Sequence, residues 1–296
     1  MSAATPSSAA LATHTQTVTR HRRRLRQGGL FLAALLTTLM LGLPLVYMFV
    51  SSFKPAPEMF TMPPRFFPTK WSLEGYSELF ELSNVPRAFI NSLVVSSLAA
   101  VLGVVLAIGL CYTVTRYRLP GLRFFTYLIL MVYILPGILL VIPVYSIWAR
   151  LGLTEGIVPL AVTHVSFTLP FSIWMLRSYF AAIPLDLEDA ALVDGANRTQ
   201  AFLLIVMPLA RPGIIATFIF TFILSWNEVL FASIMAASEN AIVISAALKN
   251  ILGERSWQPW EMVNAAGVVA TVPVLIFFAF IQRQLIAGFT AGAVKG

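Results

Sequence analysis

PLDLEDAALVDGANRTQAFLLIVMPLARPG, residues 184–213, is the only long polar interruption in the second half of a very apolar chain. It opens on Pro184, and Asp186, Glu188 and Asp189 follow at once. Proline suits the start of a helix, and acidic side chains there complement the positive end of the backbone dipole. The small pair Ala190 and Ala191 lets another surface approach closely. Asp194 and Gly195 then break the helix, because glycine tolerates the left-handed backbone that a sharp turn needs. A second helical stretch is predicted over about 199–207, stopping at Pro208. Helix, glycine hinge and helix form a compact knob that can face water, a docking element for a soluble partner.

The runs on either side of the knob set the class. The chain has 296 residues, 58% of them hydrophobic and 11% charged, and a mean hydropathy of +0.83. A soluble domain carries roughly a quarter of its residues as charges. Apolar runs of about 20 residues recur, each long enough to cross a bilayer as a helix. Spans are placed at residues 29–50, 89–115, 124–147, 157–176, 214–236 and 262–282. The predicted fold is all-α, a polytopic membrane protein with six transmembrane helices and the knob between spans four and five. Residues 1–28 form a disordered basic tail, 29–289 the membrane domain, and 290–296 a short C-terminal tail.

Six spans put both termini on one side. Of the lysines and arginines, thirteen fall in segments on that side and seven on the other, where the loops are longer. The positive-inside rule therefore places both termini and the knob in the cytoplasm. The net charge of +7 belongs to this asymmetry and does not indicate nucleic-acid binding. Arg20, Arg22, Arg23, Arg24 and Arg26 precede the first span as a basic anchor. A secretory signal also begins with a basic stretch, but residues 30–50 are too long for a signal core and no clean cleavage site follows.

The chain carries little chemistry. Its one cysteine, Cys111, lies in an apolar run, and two of its three histidines are in the N-terminal tail. No phosphate-binding GxxxxGK[ST] loop, GxSxG or metal-ligand spacing occurs, so no catalytic residue, metal site or cofactor is assigned. If the protein uses ATP, another chain must bind it. Within the spans, a charge at mid-bilayer costs at least about 2.5–3.5 kcal/mol, so exceptions are informative. Glu228, in the segment Trp226–Asn227–Glu228, and His164 are the candidates for a translocation path or gate. A satisfied polar network around Glu228 and a helix–helix hydrogen bond at His164 are the alternatives.

Two outer loops stand out. Residues 51–88 hold Phe53, Phe60, Phe66, Phe67, Trp71, Tyr76 and Phe80, with Pro55, Pro57, Pro63, Pro64 and Pro68 among them, which fits an interfacial aromatic belt, a contact surface for an extracytoplasmic partner, or both. Residues 237–261 contain the apolar piece AIVISAALKNIL, which either dips toward a pore or touches the same partner.

AspAlaAla (189–191), AspGlyAla (194–196), the apolar run to Pro208, and Pro212 together resemble the EAA loop of permease subunits in bacterial binding-protein-dependent ABC importers. Asp189 stands where that family has glutamate, with Glu188 beside it, and Met207 where it has leucine. SerPheLysPro (52–55), AsnSerLeu (91–93), TyrArgLeuProGly (117–121), IleProValTyr (142–145), TrpAsnGlu (226–228) and ThrAlaGlyAlaValLysGly (290–296) are similar to the carbohydrate-importing branch, in particular the second membrane subunit of the maltose-transporter type. The resemblance implies a sugar importer of the bacterial inner membrane. Its pore is shared with a second homologous permease subunit, and its energy comes from two cytoplasmic ATPase subunits that hold ATP and Mg. An extracytoplasmic sugar-binding protein delivers the solute. It also implies coupling roles for Glu188, Asp189, Ala190, Ala191, Asp194, Gly195, Ala196 and Pro208, and a tail contact to the ATPase through Gly292, Lys295 and Gly296. Import of a glycerol-phosphate ester, peptide or amino acid is the alternative within this class. A stand-alone secondary transporter or a poreless membrane anchor is the alternative outside it.

Overall fold

The structure, a computed structural model, describes residues 8–81, 84–117, 119–236, 238, 240–253 and 259–293, and the side chains of these except 8–25, 123, 130, 132, 281 and 283–293. Among the described residues all regular structure is helical.

Helix α1 (Ser8–Ser51) is followed by a long connection, the short α2 (Glu74–Glu81) and then α3 (Val85–Arg116). Helix α1 begins at Ser8, inside the 1–28 stretch, where no proline or glycine lies between Pro6 and Gly28. The 124–147 stretch, expected as one span, is two helices, α4 (Leu122–Val132) and α5 (Gly137–Arg150). Pro136 separates them: it has no N–H to donate and biases Leu135 away from helical geometry. Next come α6 (Ile157–Ala182), α7 (Asp186–Val193) and α8 (Arg198–Ala201). A single π-helical turn, Phe202–Val206, leads into α9 (Met207–Trp226), and α10 (Ala232–Met235), α11 (Ile244–Gly253) and α12 (Trp260–Ala293) complete the order.

Among the described residues, five helices are long and apolar enough to cross a membrane: Arg26–Ser51, Val85–Arg116, Ile157–Ala182, Arg198–Trp226 and Trp260–Phe280. The fourth of these corrects a sequence-based expectation. Pro208 does not stop the helix, which runs unbroken from Arg198 through the π-turn to Trp226. A proline ring clashes with the carbonyl four residues back in a regular α-helix. The wider i→i+5 turn just before Pro208 relieves that clash.

The centre is a trio of helices, α3, α6 and α9. One face of α3 is a stripe of small side chains, Ser92, Ser96, Ala99, Gly103, Ala107 and Cys111, all buried. Small residues three or four apart let membrane helices approach closely, which is the packing available where lipid offers no hydrophobic drive. A Cβ on Gly103 would lie 3.7 Å from both Thr168 of α6 and Thr221 of α9. Ser172 and Thr221 join those two helices by a 2.8 Å hydroxyl hydrogen bond. Beneath α10 and α11 the core is Phe222, Trp226, Met235, Ile244 and Met262; beneath α7 it is Cys111, Leu176, Phe180, Val206 and Ala210. Helix α1 leans chiefly on α12, and none of its most apolar window is buried within the chain.

Residues 240–247 pack into the bundle. Asn91 donates to the carbonyls of Asn240 (3.0 Å) and Ile242 (2.8 Å), and the Ile244 N–H donates to Ser92 Oγ (2.7 Å). The aromatic loop folds back on its own entrance: the buried Lys54 donates to the Arg65 carbonyl (2.8 Å) and lies 4.7 Å above the Tyr47 ring.

Candidate coupling site

Between α6 and α9 the knob forms as a helix, a turn and a second helix start. The Leu185 carbonyl accepts from the N–H groups of Glu188 (2.9 Å) and Asp189 (3.1 Å), starting α7 with three acids in its first turn. Asp194 caps its end, and Gly195 follows with φ +92°. That left-handed conformation lets Ala196 N–H return to the Ala191 carbonyl at 2.9 Å, closing the turn. A capping box then opens α8: Gln200 N–H donates to Asn197 Oδ1 and Asn197 N–H to Gln200 Oε1, both at 2.8 Å. The Asn-x-x-Gln spacing at 197–200 carries this signal in the sequence.

The faces of α7 divide sharply. Asp186, Asp189, Ala190 and Val193, spaced three or four apart, point outward together, and Val193 is 87% exposed. Leu187, Leu203 and Leu204 add exposed apolar area around them. Ala191 and Ala196 are half-buried, while Asp194, Gly195 and Pro208 are exposed. Glu188 does not share the outward face. It is buried, ion-paired with Arg116 Nε, and its Oε2 accepts from Tyr112 Oη at 3.0 Å. Arg116 also donates to the carbonyls of Phe180 (3.3 Å) and Ile183 (3.2 Å) at the end of α6. Tyr112 and Arg116 are the site residues that sequence reasoning missed. Arg116 entered only as one more cytoplasmic cation.

Of the expected path residues, His164 and Glu228 are brought together, and Trp226 and Asn227 are not. The Glu228 carboxylate caps the turn into α10, accepting from the N–H groups of Leu230 (2.7 Å), Phe231 (3.0 Å) and Ala232 (3.0 Å). His164, buried in α6, has Nδ1 at 2.6 Å from Ser225 Oγ. Its Nε2 is 3.3 Å from Glu228 Oε2, close enough to pair when protonated but misaligned for a hydrogen bond. Glu228 borders a cavity of about 260 Å³ at the α4–α5 break, with Tyr133, Gly137, Thr163, Phe167 and Phe231 among its walls. Trp226 is packed inside the bundle, its Nε1 donating to the Ala270 carbonyl at 3.1 Å, and Asn227 is exposed at the α9 C-cap. Of the tail residues, Gly292 lies in α12; Lys295 and Gly296 lie outside the described residues.

A membrane bundle carrying a folded, partly acidic knob between two spans is the architecture of a transport-system permease. The chain belongs to the family of binding-protein-dependent transport system inner membrane components, which it matches over residues 99–290. It is 36% identical to the inner membrane ABC transporter permease protein YcjP of Escherichia coli (strain K12), over 93% of this chain and 99% of that protein. It is 34% identical to the trehalose transport system permease protein SugB of Mycobacterium tuberculosis (strain CDC 1551 / Oshkosh), over 89% of this chain and 97% of that one. Its fold is similar to a chain in the crystal structure of a bacterial ABC transporter involved in the import of the acidic polysaccharide alginate, with a TM-score of 0.74, 22% identity, and coverage of 88% of this chain and 97% of that chain.

Proposed function

We propose that this permease is one membrane half of an ATP-driven sugar importer, working beside a second permease subunit. A sugar-binding protein outside the membrane delivers the solute, and two cytoplasmic ATPase subunits drive the change of access. Both termini and the knob lie on the ATPase side, in keeping with the charge asymmetry of the loops. The outward face of α7 carries the reading: Asp186, Asp189, Ala190 and Val193 present an acidic and apolar strip that nothing in this chain covers among the described residues. Exposed apolar area of this kind on a water-facing element marks a protein contact. The trehalose relative favours a sugar as cargo. ATP binding shifts the pore between access states only through contacts that differ between those states, and the knob is where such contacts reach this chain.

The test is co-purification with the ATPase, and stimulation of ATP hydrolysis by loaded binding protein, in Asp189→Lys and Val193→Asp. Both should fall together while membrane insertion stays normal. Full stimulation in either variant would remove α7 as the docking element.

A further inference from the structure

We propose that Arg116 is a positioning residue that makes α3 move with the knob. The inference rests on the coupling reading above.

The knob is joined by the backbone only to α6 and α9. Helix α3 reaches it from 72 residues away in sequence, through Arg116 and Glu188. One planar guanidinium bridges three elements there. Its Nε pairs with Glu188 of α7, while Nη1 and Nη2 donate to the Phe180 and Ile183 carbonyls at the end of α6. Only arginine offers donors in such a fixed fork; a lysine ammonium would satisfy one direction at a time.

One turn earlier on α3, Tyr112 repeats the connection. Its hydroxyl donates to the second Glu188 oxygen at 3.0 Å, and its ring lies 4.6 Å from that of Phe202, the first residue of the π-turn. Both arms of the knob, α7 and the segment leading to α9, therefore seat on one turn of α3. The Arg116 and Glu188 side chains are 5% and 4% exposed, so water and salt screen the pair little. Asp189, on the outward strip, is the next residue after Glu188 in the same helix. A push on the strip thus arrives at the inner end of α3 through a rigid, buried link. Because α3 packs along both α6 and α9, the whole central trio moves as one body.

The test uses the full transporter, co-expressed with its companion subunits, in a Cys111→Ser background. Spin labels at Thr199→Cys on the knob and Val105→Cys on α3 report their separation by pulsed electron resonance, without nucleotide and with ATP, Mg and vanadate. Both positions are exposed and outside the proposed docking strip. The expected result is one distance in both nucleotide states. In Arg116→Gln the distance should become nucleotide-dependent, and ATP hydrolysed per trehalose imported, with trehalose as the probe sugar, should rise at least about fivefold, the lower end of ordinary coupling effects. The reciprocal pair Arg116→Glu with Glu188→Arg should restore the single distance. Where Arg116→Gln does not insert, Arg116→Lys keeps the charge and loses the fork.

A nucleotide-dependent distance in the unmodified clamp, or an unchanged one in the Arg116 variants, would overturn the proposal. So would loss of subunit assembly in every clamp variant including the reciprocal pair, which would leave only a structural tie. An ATPase that co-purifies equally with Asp189→Lys removes the docking strip while leaving the α3 distances to be judged on their own.

Discussion

Gly213 of α9 lies against the ring of Tyr179 of α6 so closely that a Cβ at 213 would stand 2.3 Å from the ring's Cγ. No side chain fits there without displacing the root of the ring, and that root cannot swing aside as a flexible tip can. Gly213→Ala should therefore cost about 1–3 kcal/mol, the usual penalty for overpacking. Thermal unfolding in detergent should show the loss. In a Tyr179→Ala background the same substitution should cost much less, because neighbouring sites are not additive. Equal cost in both backgrounds would place the strain elsewhere.

Gly195 is a different case, with φ +92° and open space where a Cβ would go. Here conformation alone selects glycine. Gly195→Ala should cost about 1–2 kcal/mol from the left-handed backbone, and Gly195→Asn less, since asparagine tolerates that region better. Gly195→Val should be worst. Proteolytic nicking of the knob, compared across the three, would rank them; nicking that follows side-chain size alone, with Asn worse than Ala, would contradict the conformational account.

Glu228 holds three backbone donors of the turn into α10. Glu228→Ala leaves them without the carboxylate, at about 1–3 kcal/mol for each that stays dry. Glu228→Gln keeps an amide oxygen as acceptor and should cost less than Glu228→Ala. Uptake should then fall in step with the melting temperature across the two variants. Uptake abolished at an unchanged melting temperature would instead assign Glu228 to the solute path.

In the loop between α1 and α2, hydrogen bonds from the Thr69 hydroxyl and N–H hold the Glu58 carboxyl below its ordinary value of 4.5. A carboxyl lowered in the folded loop contributes order above its ordinary value, and that contribution is lost as pH falls through the folded value. A dye at Met62→Cys, in the Cys111→Ser background, should gain mobility as pH drops below about 4.5. In Glu58→Gln the mobility should be high throughout and flat with pH. A transition retained in that variant would belong to another group.

The spans were legible because length and apolarity suffice to find them, as with Val85–Arg116 and Ile157–Ala182. Pro208 misled because the rule that proline ends a helix assumes a regular turn before it, and Phe202–Val206 is not regular. The division of labour between Glu188 and Asp189 was within reach: a step of about 100° per residue puts 188 on the side of the helix away from 186, 190 and 193, while 189 falls at the edge of their strip. The spacing of Asp186, Asp189, Ala190 and Val193 already named the outward side. Arg116 was not legible. Its partner is 72 residues away, and no local periodicity records a contact between the ends of two spans and a loop.

The foot of α9 has a mechanical consequence. Pro208 leaves the Leu204 carbonyl, and Pro212 the carbonyl of Pro208, without the N–H that a regular ladder would supply. Together with the widened Phe202–Val206 turn, this thins the lengthwise bonding over two turns nearest the knob. Beyond Gly213 no further proline interrupts the rod, which lies close against Tyr179 of α6 at its start. Bending is concentrated at its base, so the direct join between knob and rod is compliant, and the stiff route from one to the other runs through the neighbouring α3 clamp.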